Sequence, residues 1–159
     1  MGRISRGEMF MRVAQIVAAR GTCDRAQVGA VIAHEGRIIS IGYNGSAPGA
    51  PHCDDVGHQM VNGHCIRTRH AEVNAIDFAN HILYNGDVKN IEVDLYVTHL
   101  PCAECCKYIA SNNSGLMDIT VRSVIYGKLY PDDISDTVLK ERFKILRDGG
   151  VVNIGELKV

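Results

Sequence analysis

The chain has 159 residues, 46% of them hydrophobic and 22% charged, with a formal net charge of −1; this fits one packed domain over 1–159 and excludes a disordered or collagen-like chain. No basic excess argues for a broad nucleic-acid surface, so no stable nucleic-acid partner is expected. No apolar run reaches the length of a membrane span and MGRISRGEMFMRVAQ lacks the apolar centre of a secretion signal, which predicts a cytoplasmic protein whose six cysteines are metal ligands or buried thiols before they are disulfides.

From the N-terminus, Met9, Val13, Ile16 and Val17 recur at helical spacing. They predict a helix over 4–20, with Ser5 and Glu8 as a capping box and Gly21 as its stop. The apolar run 28–33 reads as a buried strand, Glu35-Gly36 as a tight turn, and 37–43 as the returning arm of a hairpin. Residues 44–63 hold several glycines and two prolines and predict an irregular loop. A helix follows over 69–83, with Ala71, Ala75, Ile76 and Ala79 inward, His70 and Glu72 in its first turn, and Asn85-Gly86 as its stop. Residues 95–98 form a third strand. Pro101 suits a helix start, where its missing N–H costs little, and that helix runs over 103–112. A strand over 119–126 comes next, then a helix over 134–147 carrying Val138, Leu139, Phe143 and Leu146. Gly149-Gly150 stops it before a last strand over 151–154. The order α-β-β-α-β-α-β-α-β predicts an α/β fold, a three-layer αβα sandwich around a mixed five-stranded sheet.

The chemistry concentrates between residues 70 and 105. His70-Ala71-Glu72 is followed, about thirty residues on, by Pro101-Cys102-Ala103-Glu104-Cys105. One histidine and two cysteines can bind zinc and leave its fourth position open, as catalytic zinc sites do. Glu72 stands beside a ligand without being needed as one, so it is free to move protons. The two cysteines fall at a helix N-terminus, where the dipole favours thiolates. A redox dithiol would account for Cys102 and Cys105 but leave His70 and Glu72 unexplained, and a closed zinc ribbon would need a second paired knuckle. His-x-Glu followed by Pro-Cys-x-x-Cys is the signature of the zinc nucleobase deaminases. Cys106, on another side of the helix, reads as buried filler.

The stretches QVGAVIAHEGRIISIGYNGSAPG, HCIRTRHAEVNAI and LYVTHLPCAECCKYIA resemble the deoxycytidylate (dCMP) deaminase family, and within it the bacterial late-competence type and its phage relatives. The likeness runs from about residue 4 to 130 and implies the cytidine-deaminase fold. It also implies zinc-dependent hydrolysis of dCMP to dUMP and ammonia, supplying thymidylate synthesis. Gly42-Tyr43-Asn44-Gly45 is its most specific motif, since general cytidine and tRNA deaminases lack it in this form. By resemblance His70, Cys102 and Cys105 hold the zinc, Glu72 is the proton carrier, and Arg25, Asn44, Gly45, Ala71 and Tyr130 meet the nucleotide. Arg67 and Arg69 are further candidates for its phosphate. Read from the residues alone, Asn44 is a turn residue and each arginine a solvated charge.

The resemblance further implies a second, structural zinc tying the glycine-rich loop to the body. Cys23, Cys53, His58 and Cys65 are its expected ligands, with His64 as a substitute for His58 and His52 also nearby. Well-studied members are hexamers activated by dCTP with magnesium and inhibited by dTTP. A homo-oligomer, hexamer or smaller, is therefore expected. GYNGSAPGA departs from the commoner GYNG-x-P-x-G, with Pro48 displaced by one position, so the regulatory pattern is not carried over intact. The rival readings are another zinc nucleoside, nucleotide or tRNA deaminase, and a non-catalytic zinc protein of DNA uptake.

Overall fold

The computed structural model describes residues 2–84, 86 and 89–159. Its centre is a five-stranded mixed sheet. The hairpin of β1 (Gly29–His34) and β2 (Arg37–Tyr43) turns at Glu35 and Gly36, both at positive φ. β1 also pairs antiparallel with β7 (Ile91–His99), which runs parallel to β8 (Ile119–Lys128), which in turn runs parallel to β9 (Asn153–Glu156). The order is therefore β2-β1-β7-β8-β9.

Helices cover both faces, giving the expected three layers. Along β1 the side chains alternate: Ala30 and Ile32 join the larger core, and Val31 and Ala33 the smaller one. The larger core is closed by α3 (Ala71–Leu83), α4 (Ala103–Asn112) and α5 (Asp136–Asp148), through Ala75, Ile76, Ile109 and Leu146. The smaller core is closed by α1 (Arg6–Ala18) through Phe10, Met11 and Ala14.

α1 buries only part of the stripe its periodicity predicts: Val17 is buried and Val13 packs against the smaller core, but Met9 and Ile16 do not. Phe10, Met11, Ala14, Val17 and Ala18 face the sheet, while Ile16 is 73% exposed and Met9 lies at the surface. The reason is close approach: a Cβ on Gly29 would stand 1.9 Å from the Ala14 carbonyl oxygen. Alanines, Ala14 and Ala18, therefore sit over Gly29. Only half of the expected capping box forms. Ser5 accepts from the Glu8 N–H, but the Glu8 carboxylate accepts from Arg12 instead. Gly21 follows the helix without a left-handed turn; a Cβ there would meet Asn44 Oδ1 at 2.6 Å.

Other boundaries shift as well. The stretch 44–63 is not wholly irregular. β3 (Gly45–Ser46) pairs with β6 (Thr68–Arg69), α2 (Cys53–Val56) is a single turn, and β4 (Met60–Val61) pairs with β5 (His64–Cys65). Backbone pairing builds these two-residue ladders, and no side-chain periodicity marks them. α3 starts at Ala71, with His70 as its extended N-cap, so His70 lies just outside the first turn. Asn85, half of the expected stop, lies outside the described residues. β7 begins four residues early, because Glu92 and Asp94 alternate with buried Val93 and Leu95 and hide the strand in a polar pattern. β9 starts two residues late, since Val151 belongs to the turn after α5, where its N–H donates to Leu146.

Because β1 runs against β7 and β8, one edge of the sheet gathers the start of β1, the ends of β2, β7 and β8, and the N-termini of α3 and α4. In an α/β sheet, the carboxyl ends of the parallel strands are where ligands bind.

Candidate active site

Two helix starts face each other at this edge. His70 is the N-cap of α3 and Cys102 the N-cap of α4. His70 Nδ1 lies 3.6 Å from the Cys102 sulfur and 3.2 Å from the Cys105 sulfur, and the three ligand atoms form one group. Bonds of about 2.3 Å to sulfur and 2.0 Å to nitrogen, meeting tetrahedrally, put such atoms about 3.5 Å apart. The donor set therefore fits zinc. A hydrogen bond with Cys105 and the neighbouring His70 pull Cys102 down to about 3. The same contact and burial push Cys105 well up. His70 is raised, chiefly by its contact with Cys102.

Glu72, in the first turn of α3, is only 4% exposed. Burial raises its carboxyl, against the opposing pull of its own backbone N–H and of His70. A carboxyl so placed holds a proton more tightly than a solvated one and can pass it on. Glu72, His70, Ala71 and Cys102 line a pocket of about 270 Å³. Arg25, Asn44 and Tyr130 line it too.

The other nominated residues divide. Arg25 reaches the Gly63 carbonyl at 3.3 Å. Arg67 bonds the Gly57 carbonyl, Arg69 pairs with Asp77, and neither lines the pocket. Gly45 sits in β3 against the Tyr43 ring and does not line it either. The Asn44 amide braces the backbone: Oδ1 accepts from the Val28 N–H at 2.7 Å and Nδ2 donates to the Ala26 carbonyl at 2.7 Å. The turn-residue reading of Asn44 is thus built into the fold, and one N–H of the amide remains for the pocket.

A second cluster stands behind the pocket wall. Cys23, Cys53, His58 and Cys65 bring four ligand atoms together. Cys23 Sγ is 3.4 Å from His58 Nδ1, and the sulfurs of Cys53 and Cys65 are 3.5 Å apart. Four N/S ligands with no open position are the set of a structural zinc site. Burial pushes Cys53 up to about 12. Burial also acts to raise Cys65, but hydrogen bonds from the backbone amides of Arg67 and Gln59 bring it down to about 6. His58, not His64 or His52, completes the cluster; His64 lines the pocket and His52 caps α2. Asp24 contacts His58 Nε2 at 3.0 Å and so aims Nδ1 at the sulfurs. Cys23 and Cys65 also line the pocket, so the two clusters share a wall.

Sequence reasoning did not nominate His99, Thr68 and Pro131, which line the pocket as well. For His99 a signal existed: a titratable residue three positions before Cys102, in the segment that must lead to the first thiolate.

The family profile described as the cytidine and deoxycytidylate deaminase zinc-binding region matches residues 4–121. The chain is 45% identical over 109 residues to ComE operon protein 2 of Bacillus subtilis, a match covering 69% of this chain and 56% of that protein's length. It is 30% identical over 140 residues to the deoxycytidylate deaminase of Mycobacterium phage D29, covering 80% of this chain and 98% of that one. Its fold matches the dCMP deaminase of cyanophage S-TIM5, solved in complex with dCMP and dUMP, at a TM-score of 0.70 and 23% identity over 99% of this chain and 100% of that one.

Proposed function

Given that the chain belongs to the cytidine and deoxycytidylate deaminase family, we propose that it hydrolyses dCMP to dUMP and ammonia. The observation that carries this reading is a buried carboxyl, Glu72, lining one pocket together with His70 and Cys102 of the His70, Cys102 and Cys105 trio. His70, Cys102 and Cys105 would hold a zinc ion, which would supply a water made nucleophilic near neutral pH. Glu72 takes a proton from the attacking water and delivers it to the ring nitrogen next to the amine-bearing carbon. With the new C–O bond formed, the same carboxyl takes the remaining proton from that oxygen and gives it to the amine; the C–N bond breaks, the oxygen becomes the carbonyl of dUMP, and ammonia departs. Burial of Glu72 suits it to this exchange, because a desolvated carboxyl holds its proton more tightly than a solvated one.

The rest of the pocket is read as the nucleotide's seat. Ala71 stands at the metal end, Arg25 faces the 5′-phosphate, and Tyr130 and the free N–H of Asn44 face the sugar. Gly45 acts indirectly, through the β3–β6 pairing. A structural zinc on Cys23, Cys53, His58 and Cys65 ties 44–69 to the body and so holds the Arg25 wall in place. In this reading the whole chain is one deaminase domain that works as a homo-oligomer in the cytoplasm and supplies dUMP for thymidylate. No helix among the described residues is long and apolar enough to cross a membrane.

The test is ammonia release from deoxycytidine, dCMP and dCTP. dCMP is expected to exceed deoxycytidine by about 10²-fold in kcat/KM, the factor that two hydrogen bonds to a charged group give. Equal efficiency on the nucleoside, or preference for dCTP, would overturn the dCMP assignment. No ammonia from any of the three would overturn the deaminase.

A further inference from the structure

His99 ends β7 on the pocket wall, three residues before Cys102. Its ring stands edge-on to Tyr130, with centroids 5.5 Å apart. Its Nδ1 lies 2.8 Å from the Thr98 hydroxyl oxygen. That oxygen already accepts the Gly29 N–H at 3.1 Å. Thr98 is buried, so its hydroxyl hydrogen needs an acceptor, and His99 Nδ1 is the one within reach. The hydroxyl therefore donates to Nδ1. A neutral imidazole with Nδ1 accepting carries its proton on Nε2. The chain Gly29 N–H to Thr98 to His99 thus leaves Nε2–H as the ring's one free donor. Burial and the nearby charge of Lys128 hold His99 down to about 4, so the ring stays neutral.

We propose that His99 is a substrate-binding residue whose Nε2–H donates to an oxygen of the nucleotide's sugar–phosphate portion. The inference rests on the reading of the pocket as a pyrimidine-nucleotide site. The metal end of the pocket already has its proton carrier in Glu72, and the amine-bearing end of the base belongs there. His99 and Tyr130 form the wall supplied by the ends of β7 and β8. A neutral donor there gives direction without the desolvation cost of a buried cation. Held by Thr98 on one side and Tyr130 on the other, the ring need not be ordered when ligand arrives.

The experiment compares His99→Gln, His99→Asn and His99→Leu. A glutamine amide can place an N–H where Nε2–H was; asparagine reaches only to the Nδ1 position, and leucine offers no donor. Binding of dUMP is read by calorimetry on the zinc-loaded chain, and kcat and KM by ammonia release. Leu and Asn are expected to weaken dUMP binding and raise KM at least tenfold, with kcat changed less than threefold, and Gln is expected to stay within about threefold of wild type. A loss confined to dCMP assigns the phosphate oxygen; the same loss on deoxycytidine assigns a sugar oxygen. Equal loss in all three variants, or a loss in kcat with KM unchanged, overturns the proposal, because a packing role would not distinguish Gln from Asn. A wild type that binds dUMP without releasing ammonia would fail the proposed activity and leave this test readable. A wild type that binds no dUMP overturns the inference as well.

Discussion

Glu72 is the residue whose burial and position have least use in a structural role. As an acidic side chain in the first turn of α3 it gains from the helix dipole, but an exposed carboxylate would gain as much without the desolvation cost. Glu72→Gln keeps the shape and a hydrogen-bonding head while removing the transferable proton. Turnover is expected to fall by about 10²–10⁴-fold with the His70 group still loaded with zinc. Elemental analysis beside the kinetic assay checks this, and loss of zinc together with activity would make Glu72 a structural residue. Legibility at this scale divides along chemistry. His70, Glu72, Cys102 and Cys105 were readable because two short motifs place them at adjoining helix starts, where local spacing fixes geometry. His99 was not, because what occupies its Nδ1 is tied through Thr98 to a strand 69 residues earlier, and although Asn44 was nominated, the bracing of its amide was hidden because its partners lie 16 to 18 positions away.

At the scale of elements, α1 and the glycine-rich loop show how the sheet edge is built. α1 sits close because Gly29 has no side chain beneath Ala14 and Ala18. Periodicity predicted the helix and placed Val13 and Val17 correctly, but it included Met9 and Ile16 and missed Phe10, Met11, Ala14 and Ala18. Gly29→Ala should force α1 off the strand and cost about 3 kcal/mol, lowering Tm by roughly 10 °C. Gly155→Ala in β9, where nothing lies within 4 Å of the added carbon, should change stability by less than about 1 kcal/mol. Thermal unfolding of the two variants side by side checks the pair, and equal losses would contradict the packing argument. The loop obeys different physics. Its small strands bury little apolar surface, so on the proposed reading a metal on the second cluster holds it. Cys53→Ser is expected to reduce two zincs per chain to one, lower Tm, and raise KM for dCMP about tenfold while kcat falls less. One zinc in both proteins would contradict the second site. The resemblance supplied the ligand set with His58 preferred over His64, and the fold brings those four residues together while His64 lines the pocket.

For the molecule as a whole, the antiparallel entry of β1 beside parallel β7 and β8 brings six segments to one edge and stacks both candidate metal-binding groups along a shared wall. The fold class and the layer order were legible in the alternation of helical and strand patterns. The edge itself was not, since it depends on strand order. The central claim is that a metal held by His70, Cys102 and Cys105 serves, with Glu72, to exchange the amine of dCMP for oxygen. Its most direct test is the formation of ammonia and dUMP from dCMP by protein stripped of metal with a chelator and then titrated with zinc. Activity is expected to vanish on stripping and to return with zinc, with one dUMP formed for each ammonia. Full activity in the stripped protein, or a zinc-loaded protein that leaves dCMP unchanged, would contradict it.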